Sequence, residues 1–165
     1  MTSATLVAPE ARSAFSPARL FGVLAAAEAV TWTMLLIGML LKYVLHVTDL
    51  GVRLGGGVHG FVFLCYVAVT LLVAIDRRWA RREVVLGLGS SILPYMTIPF
   101  ERSARRRGLL ADRWRLSTDE GNGPIERIAS LVLRHPIPAA LVTLLVLAAV
   151  FSGLLALGPP TQWFA

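Results

Sequence analysis

The chain is short of what a soluble catalyst uses. It has one cysteine, Cys65, in 165 residues, so no intrachain disulfide can form. It has one lysine, Lys42, among 16 basic side chains. It has no His-Glu-x-x-His pair, no Gly-x-Ser-x-Gly elbow and no glycine loop followed by Gly-Lys-Ser/Thr. The usual zinc-hydrolase, serine-hydrolase and phosphate-binding signatures are thereby missing. Cys65 stands beside Tyr66 with no evident base, which argues against a nucleophile. Charge is scarce as well, at 16% of residues against about 25% in soluble domains.

What charge there is avoids four windows. Leu20–Leu41, Gly55–Ile75, Val84–Phe100 and Pro138–Gly158 together hold 81 residues and one of the 26 charged side chains, Glu28. The chain is 56% hydrophobic, with a mean hydropathy of +0.68. A bilayer core of about 30 Å takes about 20 helical residues. The windows of 22, 21, 17 and 21 residues fit that length, the third at its lower limit. The sequence therefore reads as an all-α polytopic membrane protein. The first window is too long, and starts too late, for a cleaved signal peptide. The net charge of +6 comes from arginines placed beside the windows, where they set topology and meet anionic lipid headgroups. Nucleic acid is not an expected partner.

Along the chain, residues 1–19 form a polar tail and 20–107 a three-helix membrane core. Residues 108–135 form a basic linker, and 136–165 a fourth transmembrane helix with a short tail. Ser16-Pro17 suits a helix start. Thr48 or Asp49 can cap the second helix. Pro124–Arg134 reads as an amphipathic helix in the headgroup plane, with Ile125, Ile128, Leu131 and Val132 on one face. The third window, VVLGLGSSILPYMTIPF, carries two Gly, two Ser and two Pro. Pro94 would free the Ser90 carbonyl and Pro99 that of Tyr95, and lipid offers neither a partner.

Topology pulls two ways. Four full spans divide the Lys and Arg residues 10 to 6 between the two sides. A re-entrant third window divides them 14 to 2, which the positive-inside rule favours. Window length favours four spans, and four spans is the expectation adopted.

Glu28 is the most informative residue. It lies about 12 Å into the first window, at 1.5 Å per residue. A carboxyl at that depth costs a few kcal/mol unless protonated or partnered. It is either a neutral acid bonded to a neighbouring helix or a proton or ligand site. If the window ends line up, Glu28, Thr31, Tyr66, Ser90 and Ser91 share one polar layer. Lys42, His59, Thr97 and Glu101 then share a second, and His59 stays clear of Glu28. With Pro94 these residues form a candidate functional seam. The Gly56xxxGly60 and Ala148xxxSer152 spacings suit close helix packing. A lone His59 with no second ligand at metal spacing points to packing, so no metal, cofactor or catalytic residue is expected.

The order of these motifs resembles one family. It runs Ala27-Glu-Ala-Val-Thr31, Leu41-Lys-Tyr43, Gly57-Val-His-Gly-Phe61 with Tyr66, Trp79, and Leu93-Pro-Tyr-Met-Thr97 before Phe100-Glu101. This is similar to the small bacterial integral membrane family marked by a His-Gly pair, domain-of-unknown-function family 3817, YdzA-like. The resemblance covers about residues 18–107 and implies a three-helix unit with a full third span. It maps the family's blocks onto Glu28, Thr31, Lys42, Tyr43, His59, Gly60, Tyr66, Pro94, Thr97 and Glu101. The family's usual Pro-Phe-Gly-Thr-Phe is Pro94-Tyr-Met-Thr-Ile98 here, and the fourth span lies outside the family unit. The resemblance brings no established activity.

The expected function is a non-enzymatic accessory or self-associating helical bundle in a bacterial cell membrane. Its partners would be the bilayer, anionic headgroups at the arginine clusters, and copies of itself or another membrane protein. The alternative is a small oligomeric transporter or proton-coupled permeation unit using Glu28 and His59.

Overall fold

A computed structural model describes residues 16–119 and 121–157. The polar tail before Ser16 and the tail after Leu157 lie outside the described residues. Among the described residues the regular structure is entirely helical.

Helix α1 spans Pro17–Met39 and runs on through one π-helical turn, Leu40–Val44. Its start is local chemistry: the Ser16 hydroxyl accepts the Arg19 amide at 3.3 Å, and Pro17 occupies the first turn. Helix α2 spans Leu50–Arg77, with the Thr48 hydroxyl accepting the Leu50 amide at 3.2 Å. The two helices pair antiparallel along their length. Glycine sets how closely they pair. A Cβ on Gly38 would lie 2.5 Å from the Gly51 carbonyl oxygen, and one on Gly55 would lie 3.0 Å from that of Met34. Only hydrogen fits at these two crossings.

The third window is not one helix. Helix α3 spans Arg81–Ser90, turns follow, and helix α4 spans Thr97–Arg106. Three local facts stop α3. The Ser90 and Ser91 hydroxyls donate to the Gly87 and Leu88 carbonyls, both at 2.7 Å, and so satisfy groups a continuing helix would have used. Pro94 has no amide to carry the helix on. Tyr95 takes a left-handed φ of 65°. Pro99 falls in the first turn of α4, where proline is tolerated.

The segment leaves on the side where it entered. Arg107 reaches Glu83 at 3.4 Å, and the Trp79 indole donates to the Leu109 carbonyl at 3.1 Å. This corrects the expected full span: 84–100 is a hairpin with its tip against mid-α1. Helices long and apolar enough to cross a membrane are Pro17–Val44, Leu50–Arg77 and Pro136–Leu154. As a result, 13 described arginines lie at the end where α1 begins and α2 stops, against Lys42 and Arg53 at the other.

The core sits at the arginine-rich end. Phe21 packs on Tyr66, Trp79 and Phe100 with ring centroids 5.2, 6.0 and 6.0 Å apart. Ala104 and Leu110 close the cluster. The basic linker is tied to α2 through buried Asp76. Its Oδ1 accepts the Leu116 amide at 2.9 Å, and its carbonyl accepts Arg115 Nε at 2.8 Å. Helix α5 spans Pro124–Arg134. It turns Ala129 and Ser130 inward and leaves Ile125, Ile128 and Leu131 exposed. Glu126 joins α5 to the rest, bonding Arg78 at 2.8 Å, Arg115 at 3.0 Å and the Asn122 amide at 2.9 Å. Helix α6, Pro136–Leu157, crosses back along α2.

Candidate functional site

The polar seam gathers around the α1–α2 crossing. Glu28 is fully buried, and neither carboxylate oxygen has a hydrogen-bond partner among the described residues. Oε2 lies 3.6 Å from His59 Nδ1, beyond hydrogen-bond length but within ion-pair range. The same Nδ1 lies 3.1 Å from the Thr31 hydroxyl. That hydroxyl donates its single hydrogen to the Glu28 carbonyl at 3.0 Å. The Thr31 hydroxyl thus stands between the Glu28 carbonyl and the imidazole, and the same ring nitrogen faces the buried Glu28 carboxyl.

Trp32 closes the cluster on the hairpin side. Its ring stacks on His59 with centroids 4.5 Å apart, and its indole donates to the Ser91 carbonyl at 3.2 Å. The Thr33 hydroxyl and Tyr95 hydroxyl meet at 3.2 Å. The hairpin tip has therefore found protein partners at mid-membrane, as backbone there requires.

The expected layers do not survive in full. Glu28 and His59, expected apart, are neighbours. The arithmetic assumed that the apolar windows end at one level. Helix α2 instead slides about seven residues along α1, because the contacts at Gly38, Gly51 and Gly55 set the register. Tyr66 and Ser90 do meet, at 3.0 Å, with Gly87 O also 3.3 Å from the Tyr66 hydroxyl. The second layer is dispersed. Thr97 donates to the Ala25 carbonyl at 3.0 Å. Glu101 pairs with Arg105 at 2.5 Å, and Arg105 also bonds the Ala18 carbonyl. Lys42 lies at the opposite end, its ammonium 5.4 Å from the Tyr43 ring centroid. Turning the third segment back carried Thr97 and Glu101 away from Lys42.

Of the packing residues, Gly60 faces Phe151 of α6: a Cβ there would lie 3.2 Å from that ring. Gly56 is less pressed, 3.7 Å from Leu35 Cδ1. Ala148 and Ser152 are exposed. Among the described residues, no three His, Cys, Asp or Glu side chains cluster as metal ligands would.

Sequence reasoning missed two residues at the arginine-rich end. Asp76 is fully buried, with no hydrogen-bond partner for Oδ2 among the described residues, and Glu126 gathers two arginines. Arg78, then the Asn122 amide and Arg115, hold the Glu126 carboxyl down at a pKa of about 2. Reciprocally, Glu126 raises the Arg78 guanidinium above its usual value. Asp76 was readable as an acid directly before an arginine pair. Its role was not, because its bonding partner is 40 residues away.

A family model described as Domain of unknown function (DUF3817) matches residues 18–106. The chain belongs to that family. Its match covers α1 through α4, the unit that holds Glu28, His59 and the hairpin. The linker, α5 and α6 lie outside that match. The chain is also similar to "Putative membrane protein SCO5905" of Streptomyces coelicolor. The two are 45% identical over 108 residues, 62% of this chain and 13% of that protein. The chain therefore spans about 13% of the length of the curated relative it matches. No solved structure matches.

Proposed function

We propose that this chain is a non-enzymatic accessory module of a bacterial cell membrane. It holds to a larger membrane protein or to copies of itself. One observation carries the reading: in the Streptomyces coelicolor protein the matching stretch is a small part of a much longer membrane protein. A unit found joined to a large membrane chain is suited to working beside one. The arginine-rich end faces the cytoplasm, since the 13-to-2 division of basic residues obeys the positive-inside rule. Uncovered α6, with none of its described side chains buried, supplies a surface for association.

Crosslinking in native membranes followed by affinity purification tests the reading. A discrete membrane-protein adduct or a defined homo-oligomer is expected. A clean monomer in both crosslinked membranes and purified form would overturn it.

A second reading rests on the buried Glu28 carboxyl, without a hydrogen-bond partner among the described residues, beside the His59 imidazole. It is a small oligomeric proton-coupled permeation unit. Its test is proton or solute flux in proteoliposomes. Flux abolished by Glu28→Gln at normal protein level supports it, and absence of flux in the wild type removes it.

A further inference from the structure

Helix α6 touches the bundle at its two ends and stands off between them. At its base it follows α5 directly, and near its far end Phe151 packs edge-on against Phe61 with centroids 6.1 Å apart. Between these contacts lies a groove of about 1730 Å³. Leu24, Cys65, Ala68 and Leu72 line one wall, and Ala140, Leu144 and Leu147 the other. The open end at the arginine-rich face is ringed by Arg77, Arg113 and Arg115, with Asp112 opposing them and Trp114 beside them. Arg115 is held by Glu126 and the Asp76 carbonyl. Arg77 is exposed.

We propose that this groove holds one anionic phospholipid of the arginine-side leaflet. Three observations select that occupant. The first is depth. From Arg77 to Cys65 on α2 is twelve residues, about 18 Å at 1.5 Å per residue. One leaflet is about 15 Å of hydrocarbon, or about 20–22 Å with its headgroups. The groove is one leaflet deep. The second is the floor. The Phe61–Phe151 contact lies one turn below Cys65 and Leu147, which line the groove on its two walls. A partner transmembrane helix needs about 30 Å of clear path and is stopped there. The third is charge. Apolar walls lead up to a net-positive rim at headgroup level, the arrangement by which basic pockets between transmembrane helices take acidic headgroups. A groove opening to the cytoplasmic leaflet would draw on the leaflet that carries anionic lipid. The inference is independent of the accessory reading, since a monomer has the whole groove.

The test uses the full chain in nanodiscs. Phosphatidylglycerol and phosphatidylcholine analogues with a photoactivatable group in one acyl chain are crosslinked, and the labelled positions are mapped by mass spectrometry. Label is expected on Ala68, Leu72, Ala140 and Leu144, with phosphatidylglycerol favoured. Arg77→Gln, at an exposed position, should lower that preference by roughly fivefold. Ala140→Trp should empty the groove of label, and Ala68→Leu does the same from the other wall if the first variant misfolds. Label spread equally onto outward-facing Val142 and Leu145 would overturn the groove. Equal labelling by the two lipids would overturn the anionic headgroup. Protein–protein crosslinks from the groove residues in place of lipid would assign it to a partner helix instead.

Discussion

Two glycine substitutions test the register on which the site depends. At Gly38, an alanine Cβ would fall 2.5 Å from the Gly51 oxygen and 2.7 Å from the Val52 nitrogen. Both are backbone atoms and cannot swing aside. The helices must separate by on the order of 1 Å, and overpacking of this kind costs about 1–3 kcal/mol. At Gly56 the nearest atom is the flexible tip of Leu35 at 3.7 Å, an ordinary contact. Alanine there gains up to about 1 kcal/mol of helix propensity and loses nothing. The same propensity gain applies at Gly38, so the difference between the variants isolates the clash. It should be about 1–3 kcal/mol, a factor on the order of 10 or more in the unfolding equilibrium. Reversible unfolding by steric trapping in bicelles measures it directly. If Gly38→Ala matches the wild type while Gly56→Ala is the damaging change, the helices pair through the Gly56–Gly60 face. The Glu28–His59 contact would then fall with this register.

Three other outcomes follow from the same structure. In a background lacking Cys65, Ala80→Cys and Arg106→Cys should react with an impermeant maleimide from one side of the membrane and Asp49→Cys from the other. Labelling of positions 80 and 106 from opposite sides would restore a full third span. Tyr66→Phe removes the buried hydroxyl shared with Ser90 and the Gly87 carbonyl, and should cost about 0.5–1.5 kcal/mol in the same unfolding assay; no loss would place the hydroxyl outside the core. The Glu126 carboxyl is held below its unfolded value, so its contribution is complete above about pH 4.5 and is lost as pH falls toward about 2. The protection of α5 amides relative to their intrinsic exchange at each pH should therefore fall across that window, and Glu126→Gln should flatten the fall.

Much of the chain was legible residue by residue. The four apolar windows gave the membrane class, because transfer of apolar side chains into lipid depends on composition alone. The starts of α1 and α5 were legible because Ser16-Pro17 and Pro124 act on the turns beside them. The hairpin was half legible. Ser90, Ser91 and Pro94 announced freed carbonyls needing partners, and the charge balance favoured re-entry. The length of the window and the family's pattern outweighed both. The site was legible as a set of residues and not as an arrangement.

The sequence alone determined that the protein lies in a membrane, that its regular elements are helices, and that Glu28 is an exception needing an explanation. Only the tertiary structure decided that His59 is that exception's neighbour. Hydropathy marks where a helix leaves lipid and carries no information about how far it slides along its partner. That distance is fixed where Gly38, Gly51 and Gly55 let two backbones touch. The third segment turned back for a similar reason: a break at mid-membrane is stable only where protein groups wait for it. Trp32 and Thr33 of α1 are those groups, and they lie more than 50 residues away in sequence.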